Sequence, residues 1–186
     1  MEELIKNNLE NGEKILWTGK SASKKVLDST YLVPYLIRFV VSYGIVAALA
    51  FYAISKTGSI RTSALLMLLV VGSLIPMTAI SDGIKSKKLC YAATDRRLMR
   101  VNESLVSSVN YDEIGSCTFR KDSSGNISLL CGDKTVSSNP SSWRGKALFT
   151  GSYEKDSENH VNDYVFYAVD DAEGLKKAIE DKVKIA

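Results

Sequence analysis

Two long uncharged runs in the first half of the chain, Phe39–Ile54 and Thr62–Ile80, restrict its possible folds more than any other feature. A helix rises about 1.5 Å per residue, so about 20 apolar residues cross the hydrocarbon core of a bilayer. The first run alone is too short, and its helix is expected to begin near Tyr31. Pro34 then lies in the first turn, and Arg38 lies near the membrane interface as an anchor. We therefore predict a small integral membrane protein.

The polar connection between the runs, residues 55–61, is too short to form a domain, so the runs are predicted to form a helical hairpin. Small residues on the first helix, Gly44, Ala47 and Ala48, would let the two helices approach closely. Pro76 has no backbone N–H, and we expect the carbonyl that it frees to be bound by the neighbouring helix or by Ser73. The predicted organisation is an N-terminal arm (1–30), a transmembrane hairpin (31–82) and a C-terminal domain (83–186).

Basic residues are concentrated on the outer flanks of the predicted hairpin. They are Lys20, Lys24 and Lys25 before it and Lys85, Lys87, Lys88, Arg96, Arg97 and Arg100 after it, against Lys56 and Arg61 in the connection. The positive-inside rule then predicts an integral protein of the cell (inner) membrane with both termini in the cytoplasm. In that reducing compartment the cysteines are expected to be free thiols. These cysteines are Cys90, Cys117 and Cys131.

The polar parts of the chain predict an α+β fold. Residues 3–10 have the spacing of a short amphipathic helix, and residues 13–19 read as an extended segment. Trp17 in that segment is either an anchor at the membrane interface or a residue of the soluble core, and we favour the core. The strands predicted after the hairpin are Leu89–Ala93, Leu98–Asn102, Leu105–Asn110, Ser116–Lys121, Ile127–Cys131, Lys134–Val136, Ala147–Tyr153 and Tyr164–Val169. An amphipathic helix capped by Asp170 and Asp171 follows them. Antiparallel strands with one final helix predict a curved sheet or open barrel closed by that helix.

Three motifs occur in a fixed order around the hairpin. They are Gly12–Lys20 before it, then Tyr91–Val101 and Val109–Ile114 after it. In this order they resemble the small bacterial membrane proteins that carry a pleckstrin-homology (PH)-like domain. The resemblance implies a two-helix transmembrane hairpin and a PH-like antiparallel β-barrel or bent sheet of seven strands, capped by a C-terminal helix. The segment Ser137–Asp163 is longer and more irregular than that pattern requires, and we interpret it as an insertion.

Residues that commonly carry catalysis or bind metals are sparse in this sequence. The single histidine, His160, lies in a polar loop without cysteine or histidine at ligand spacing. Cys117 and Cys131 flank a predicted turn and would face each other in a hairpin. Packing and a redox role are both open for this pair. We predict a non-enzymatic chain without a catalytic residue, metal or cofactor.

Two groups of residues are candidates for binding. The first would bind anionic membrane lipids, as basic residues of the first hairpin do in eukaryotic PH domains, although topology explains the same charges. It consists of Lys87, Lys88, Arg96, Arg97 and Arg100. The second is a partner surface at Trp143 and Arg144, for which burial under a loop is the open alternative. Acidic and basic residues balance after the hairpin, which argues against nucleic acid as a partner.

Three functions are compatible with these observations. The leading hypothesis is a membrane-anchored PH-like module that presents a cytoplasmic surface to a protein partner or to further copies of itself in a homo-oligomer. The alternatives are a sensor of anionic lipids and an accessory subunit of a transporter or cell-envelope complex. A fold does not choose between them.

Overall fold

The computed structural model describes residues 2–23, 29–58, 61–102, 105–149 and 151–186. Lys24 and Lys25, which contribute to the topology prediction, lie outside these residues. The chain divides into two compact units. Residues 1–26 and 82–186 form one of them, the α+β unit, and residues 27–81 form the other, the helical unit. The segment before the helices therefore joins the segment after them.

The N-terminal segment contributes a helix, α1 (Glu2–Asn7), and a strand, β1 (Ile15–Lys20), to the α+β unit. Ile5 of α1 is buried in a cluster with Met99 and Val101. Trp17 of β1 is buried, and its Nε1 donates a hydrogen bond to Asp171 Oδ2 at 3.1 Å. The prediction that Trp17 belongs to a core is confirmed.

The helical unit contains α2 (Ser29–Thr57) and most of α3 (Thr62–Ser86). Residues 30–57 of α2 have a mean hydropathy of 1.9 over their most apolar window, of which only 11% is buried. Within the described residues α2 is the one helix long and apolar enough to cross a membrane, while the apolar stretch described in α3 is Ala64–Leu74. Because α2 begins before Tyr31, Pro34 lies inside the helix and not in its first turn.

The two helices approach each other at Gly72. A Cβ atom added to Gly72 would lie 2.7 Å from Val46 Cγ2, whereas one added to Gly44 would meet no described atom within 4 Å. The predicted close approach at Gly44 is therefore wrong. Ser42 Oγ donates a hydrogen bond to the Gly72 carbonyl, which is the carbonyl that Pro76 leaves without its helical N–H. The prediction that the neighbouring helix binds this carbonyl is confirmed.

Seven strands form two antiparallel sheets in the described chain. The first has the order β1-β2-β3-β4, with β2 (Cys90–Thr94), β3 (Arg97–Asn102) and β4 (Leu105–Asn110). The second has the order β5-β6-β7, with β5 (Cys117–Lys121), β6 (Ile127–Cys131) and β7 (Tyr164–Phe166). The 3₁₀ turn Tyr111–Glu113 interrupts the chain between β4 and β5, so the ladder does not continue and no closed barrel forms in the described residues.

Three further helices complete the α+β unit, and two of them replace predicted strands. They are α4 (Asp133–Val136), α5 (Pro140–Leu148) and α6 (Ala172–Ile179). The strands predicted at Lys134–Val136 and Ala147–Tyr153 are wrong. Asn139 Oδ1 accepts a hydrogen bond from the Ser141 N–H, and Pro140 at the first helical position starts α5. The final helix is confirmed, with Asp171 as its N-cap.

The core of the α+β unit lies between the two sheets. The rings of Tyr91 on β2 and Phe166 on β7 stack with centroids 4.5 Å apart. The Tyr91 hydroxyl donates a hydrogen bond to the Tyr167 carbonyl at 2.7 Å. Helix α6 packs against β1, β2 and β6 and buries Leu175 and Ile179 completely. The predicted helical cap therefore covers strands of both sheets.

Candidate functional site

Arg97, a predicted lipid-headgroup residue, lies in an internal ion pair. Its Nε donates to Glu13 Oε1 and its Nη2 donates to Glu13 Oε2, each at 2.9 Å. Thr94 Oγ1 also donates to Glu13 Oε1 at 2.7 Å, and the Glu10 N–H donates to Oε2 at 2.8 Å. The pair fastens the start of β1 to the start of β3. Arg97 is thus held inside the fold, which leaves its guanidinium poorly placed for a headgroup.

The pKa of Glu13 reflects this environment. Burial disfavours the charged carboxylate and raises its pKa, but the hydrogen bonds from Arg97, the Glu10 N–H and Thr94, together with the charge of Arg97, outweigh that effect. The pKa falls to about 2. Glu13 therefore stays ionised in the folded chain at any physiological pH.

Arg100 is also a structural residue, because its side chain is fully buried. Its Nη1 donates to the carbonyls of Lys146 and Val165, at 3.0 and 3.1 Å. Its Nη2 donates to the Phe149 carbonyl and to the Tyr153 hydroxyl. The guanidinium thus ties β3 to α5, to the loop after it and to β7. The prediction of Arg100 as a headgroup ligand is wrong, since a membrane surface cannot reach it.

The remaining predicted lipid residues lie at the surface. Lys87 and Lys88 directly follow α3 and are exposed. Arg96 is half exposed, and its Nη1 lies 3.2 Å from Glu10 Oε2. Three of the five predicted residues can therefore meet a ligand without rearrangement of the fold.

Trp143 and Arg144, the predicted partner surface, are buried on α5 at 2% exposure each. The Arg144 guanidinium carbon lies 5.6 Å from the centroid of the Tyr167 ring. Both residues are therefore buried, which was the open alternative, and the prediction that they form an exposed partner surface is wrong. The segment Ser137–Asp163, interpreted from the sequence as an insertion, contributes α5 to the core.

Cys117 and Cys131 face each other in the register of β5 and β6, as the sequence predicted. Their sulfurs form a disulfide in the structure, with the Cα atoms 4.2 Å apart. The structure therefore holds an oxidised pair where the sequence predicts free thiols, because a directly opposed pair on neighbouring strands brings the two sulfurs within bonding distance. Cys90 is buried and takes no part in a disulfide.

The loop around His160 carries acidic side chains. His160 Nδ1 lies 3.6 Å from carboxylate oxygens of Asp156 and Glu158, and its side chain is partly exposed. Asp156, Glu158 and His160 line a surface cavity of about 270 Å³ with Asp133 and Lys184. Among the described residues no group of His, Cys, Asp and Glu side chains is arranged to hold a metal ion. The loop therefore gives no geometry for metal chemistry.

A groove of about 310 Å³ lies between β5 and helix α6. Its apolar wall contains Phe119, Ile127, Ala172 and Ile185, and its charged rim contains Arg120, Lys121, Glu173 and Lys176. Sequence reasoning missed these residues because they come from β5, β6, α6 and the last residues of the chain, which only the fold brings together. The local signal in the sequence is Phe119 followed directly by two cations, Arg120 and Lys121.

No family model matches the chain, and no curated protein or solved structure matches it.

Proposed function

We propose that this chain is a non-enzymatic, membrane-anchored module whose α+β unit binds a protein partner at the cytoplasmic face of the membrane. The supporting observation is the exposed apolar surface of the helical unit. Large apolar side chains are more than half exposed along α2 and α3, including Val40, Phe51, Met67 and Val70. Water disfavours so continuous an apolar surface, whereas a bilayer covers it.

The anchor in this proposal is a transmembrane hairpin made of both helices. Helix α3 spans 25 residues, which is sufficient for a bilayer, and its contact with α2 at Gly72 supplies the close packing that membrane helices use. The basic flanks support a cytoplasmic position of both termini. The α+β unit is proposed to be PH-like, since β1, the hairpin, the β2–β3 turn and the final helix follow the order of that family.

Topology is tested by labelling single introduced cysteines with a membrane-impermeant maleimide. We expect Lys56→Cys, in the last turn of α2 beside the connection to α3, to react in intact spheroplasts. We expect Lys182→Cys, in the exposed C-terminal part of the α+β unit, to react only after the membrane is permeabilised. The opposite pattern would contradict the proposed orientation, and extraction of the chain by alkaline carbonate would contradict the anchor.

The interaction is tested by purifying the full chain from crosslinked membranes in mild detergent, with identification of proteins and lipids by mass spectrometry. We expect a protein partner in stoichiometric amount. A chain recovered alone, as a single copy, would contradict the proposed function. Recovery as a homo-oligomer would favour self-assembly instead.

Recognition of anionic lipid is the second candidate function, and it depends on Lys87, Lys88 and Arg96. These residues stay exposed at the point where the chain leaves α3, and each surface cation attracts an anionic headgroup by about 1 kcal/mol. Changing all three to Gln should remove anionic lipids from the purified chain. The matched variant Lys155→Gln/Lys177→Gln/Lys182→Gln changes three lysines that are distant in sequence from α2 and α3, and it should retain the anionic lipids.

A further inference from the structure

We infer that the groove between β5 and α6 binds an extended, acidic peptide segment of a protein partner, which adds to the second sheet as a further strand. The inference rests on the proposed function and names the surface and the partner's chemistry. It follows from the direction of the backbone groups of β5, from the last residues of the chain and from the charge of the groove.

The hydrogen bonds between β5 and β6 determine which residues of β5 point away from the sheet. Two backbone hydrogen bonds lie at the ends of this strand pair. At one end the Gly132 N–H donates to the Ser116 carbonyl, and at the other the Asp122 N–H donates to the Asn126 carbonyl. In an antiparallel pair, residues alternate between bonding the neighbouring strand and turning away from it. Even-numbered residues of this stretch therefore bond β6, and odd-numbered residues turn their N–H and C=O groups to the outer edge.

The first of these outward residues, Cys117, already pairs with an added strand. Its N–H donates to the Lys184 carbonyl, and its carbonyl accepts from the Ala186 N–H, each at 2.9 Å. The bridge between Cys117 and Ile185 is parallel. This edge of the sheet therefore accepts an additional strand within the fold itself.

The next outward residues, Phe119 and Lys121, present the same groups to the groove. In the part of the chain that the structure describes, no backbone bond from outside the sheet reaches either residue. The two residues are one strand repeat apart, which matches the spacing of N–H and C=O groups along an extended peptide. An exposed strand edge of this kind is a template for a further strand.

The side chains of the groove select the chemistry of that strand. Arg120, Lys121 and Lys176 line the rim together with one acidic residue, Glu173, so the rim is net positive. Ile127 is 39% exposed at the apolar wall. An extended segment that alternates acidic and apolar residues satisfies both parts of the groove.

A second copy of this chain fits the edge less well. Two β5 strands paired antiparallel about a two-fold axis at Arg120 would place the two Arg120 residues opposite each other, with both Lys121 residues nearby. Like charges directly opposite on paired strands are destabilising. The charge of the groove thus favours an acidic partner over self-association.

The test uses the full chain in detergent and a fluorescent hexapeptide, Glu-Val-Glu-Val-Glu-Val, with binding followed by anisotropy. We expect saturable binding of this peptide, and at least about tenfold weaker binding of Lys-Val-Lys-Val-Lys-Val. The acidic peptide N-methylated at every residue should not bind, because it lacks the donors that a strand needs. Equal binding of all three peptides, or of none, would overturn the inference.

Two pairs of variants separate the backbone contribution from the charge. Lys121→Pro removes an outward N–H without touching the bonds to β6, and should weaken binding about tenfold, whereas Lys121→Gln keeps the N–H and should lose less. Lys176→Glu should weaken binding about fivefold, while Lys182→Glu, outside the groove, should not. Tryptophan fluorescence checks that each variant is folded, and Lys176→Glu tests the groove even where Lys121→Pro does not fold.

The same variants distinguish failure of this inference from failure of the proposed function. If a stoichiometric partner is recovered equally with Lys121→Pro, Lys176→Glu and the unaltered chain, the partner docks elsewhere. The groove inference is then wrong, and the proposed function stands. If no partner is recovered and the acidic peptide does not bind, both are wrong.

Discussion

Glu13 and Arg97 form a two-point ion pair although both helices of the helical unit lie between them in the sequence. The Glu13 side chain is fully buried and that of Arg97 is 14% exposed. The pair joins the segment before α2 to the start of β3, which follows α3. It is therefore positioned to hold the two parts of the α+β unit together.

Glu13→Gln should lower the free energy of unfolding of the α+β unit by about 3 kcal/mol, because it removes the buried counter-charge of the Arg97 guanidinium and leaves only the exposed Glu10 carboxylate, 3.5 Å away. Urea unfolding of the full chain in detergent, followed by tryptophan fluorescence, measures this change. Both tryptophans, Trp17 and Trp143, belong to the α+β unit. Arg96→Gln is the control, since its exposed contact should contribute less than about 1 kcal/mol. Equal losses in the two variants would contradict the assigned role.

The same carboxylate makes stability depend on pH. The pKa of Glu13 is about 2 in the folded chain against an ordinary value of 4.5, so the unfolded chain takes up the proton first as the pH falls. The contribution of Glu13 is complete above pH 4.5 and is lost progressively as the pH falls towards 2.

Relative to Glu13→Gln, the unaltered chain should therefore lose about 2 kcal/mol of stability across that range. Urea unfolding at a series of pH values measures the difference. Parallel curves for the two proteins would show that Glu13 is not the titrating group.

Gly72→Ala should destabilise the helical unit by about 2 kcal/mol, because the added methyl group overlaps the stiff side chain of Val46. Gly44→Ala provides the matched control, since its position is open and alanine favours a helix. Thermal unfolding in detergent, followed by circular dichroism at the helical band, compares the variants. Val46→Ala combined with Gly72→Ala should recover part of the loss, and an additive loss would contradict the contact.

Reduction of the bond between Cys117 and Cys131 should lower the stability of the oxidised α+β unit by about 3 kcal/mol, since the bond closes a loop with a sequence separation of 14. With the proposed cytoplasmic orientation, both thiols should be reduced in cells and should oxidise after purification in air. Acid quenching of cells, alkylation and mass spectrometry measure the state in the cell.

Cys117→Ser is the control for the stability measurement, because it should be insensitive to reductant. A fully oxidised pair in quenched cells would place the α+β unit outside the cytoplasm and contradict the proposed topology.

Local patterns were sufficient for many elements of this fold. Helix α6 and its cap followed from the spacing of apolar residues behind Asp171, and the strands β4 and β6 have the predicted bounds. Helix α5 was missed because the strand prediction began at Ala147 and gave no weight to Asn139–Pro140, the pair that starts the helix.

The roles of the basic residues could not be read from the sequence. Arg100 is buried because both faces of β3 are covered, with α1 near Met99 on one face and Tyr164 near Arg100 on the other. A strand with one face in solvent would expose it. Arg97 likewise depends on Glu13, a partner that only the pairing of β1 with β2 brings close. These contacts are long-range, so no periodicity in a short window contains them.

The pairing of β1 with β2 also determines the order of events during synthesis. The ribosome makes β1 before both helices and β2 after them. Until β2 has been made, β1 therefore has no strand to pair with. The α+β unit closes only when the segment beyond α3 has emerged. A chain that stalls at the helices retains an unpaired N-terminal strand, and unpaired strand edges make incompletely folded proteins prone to aggregation.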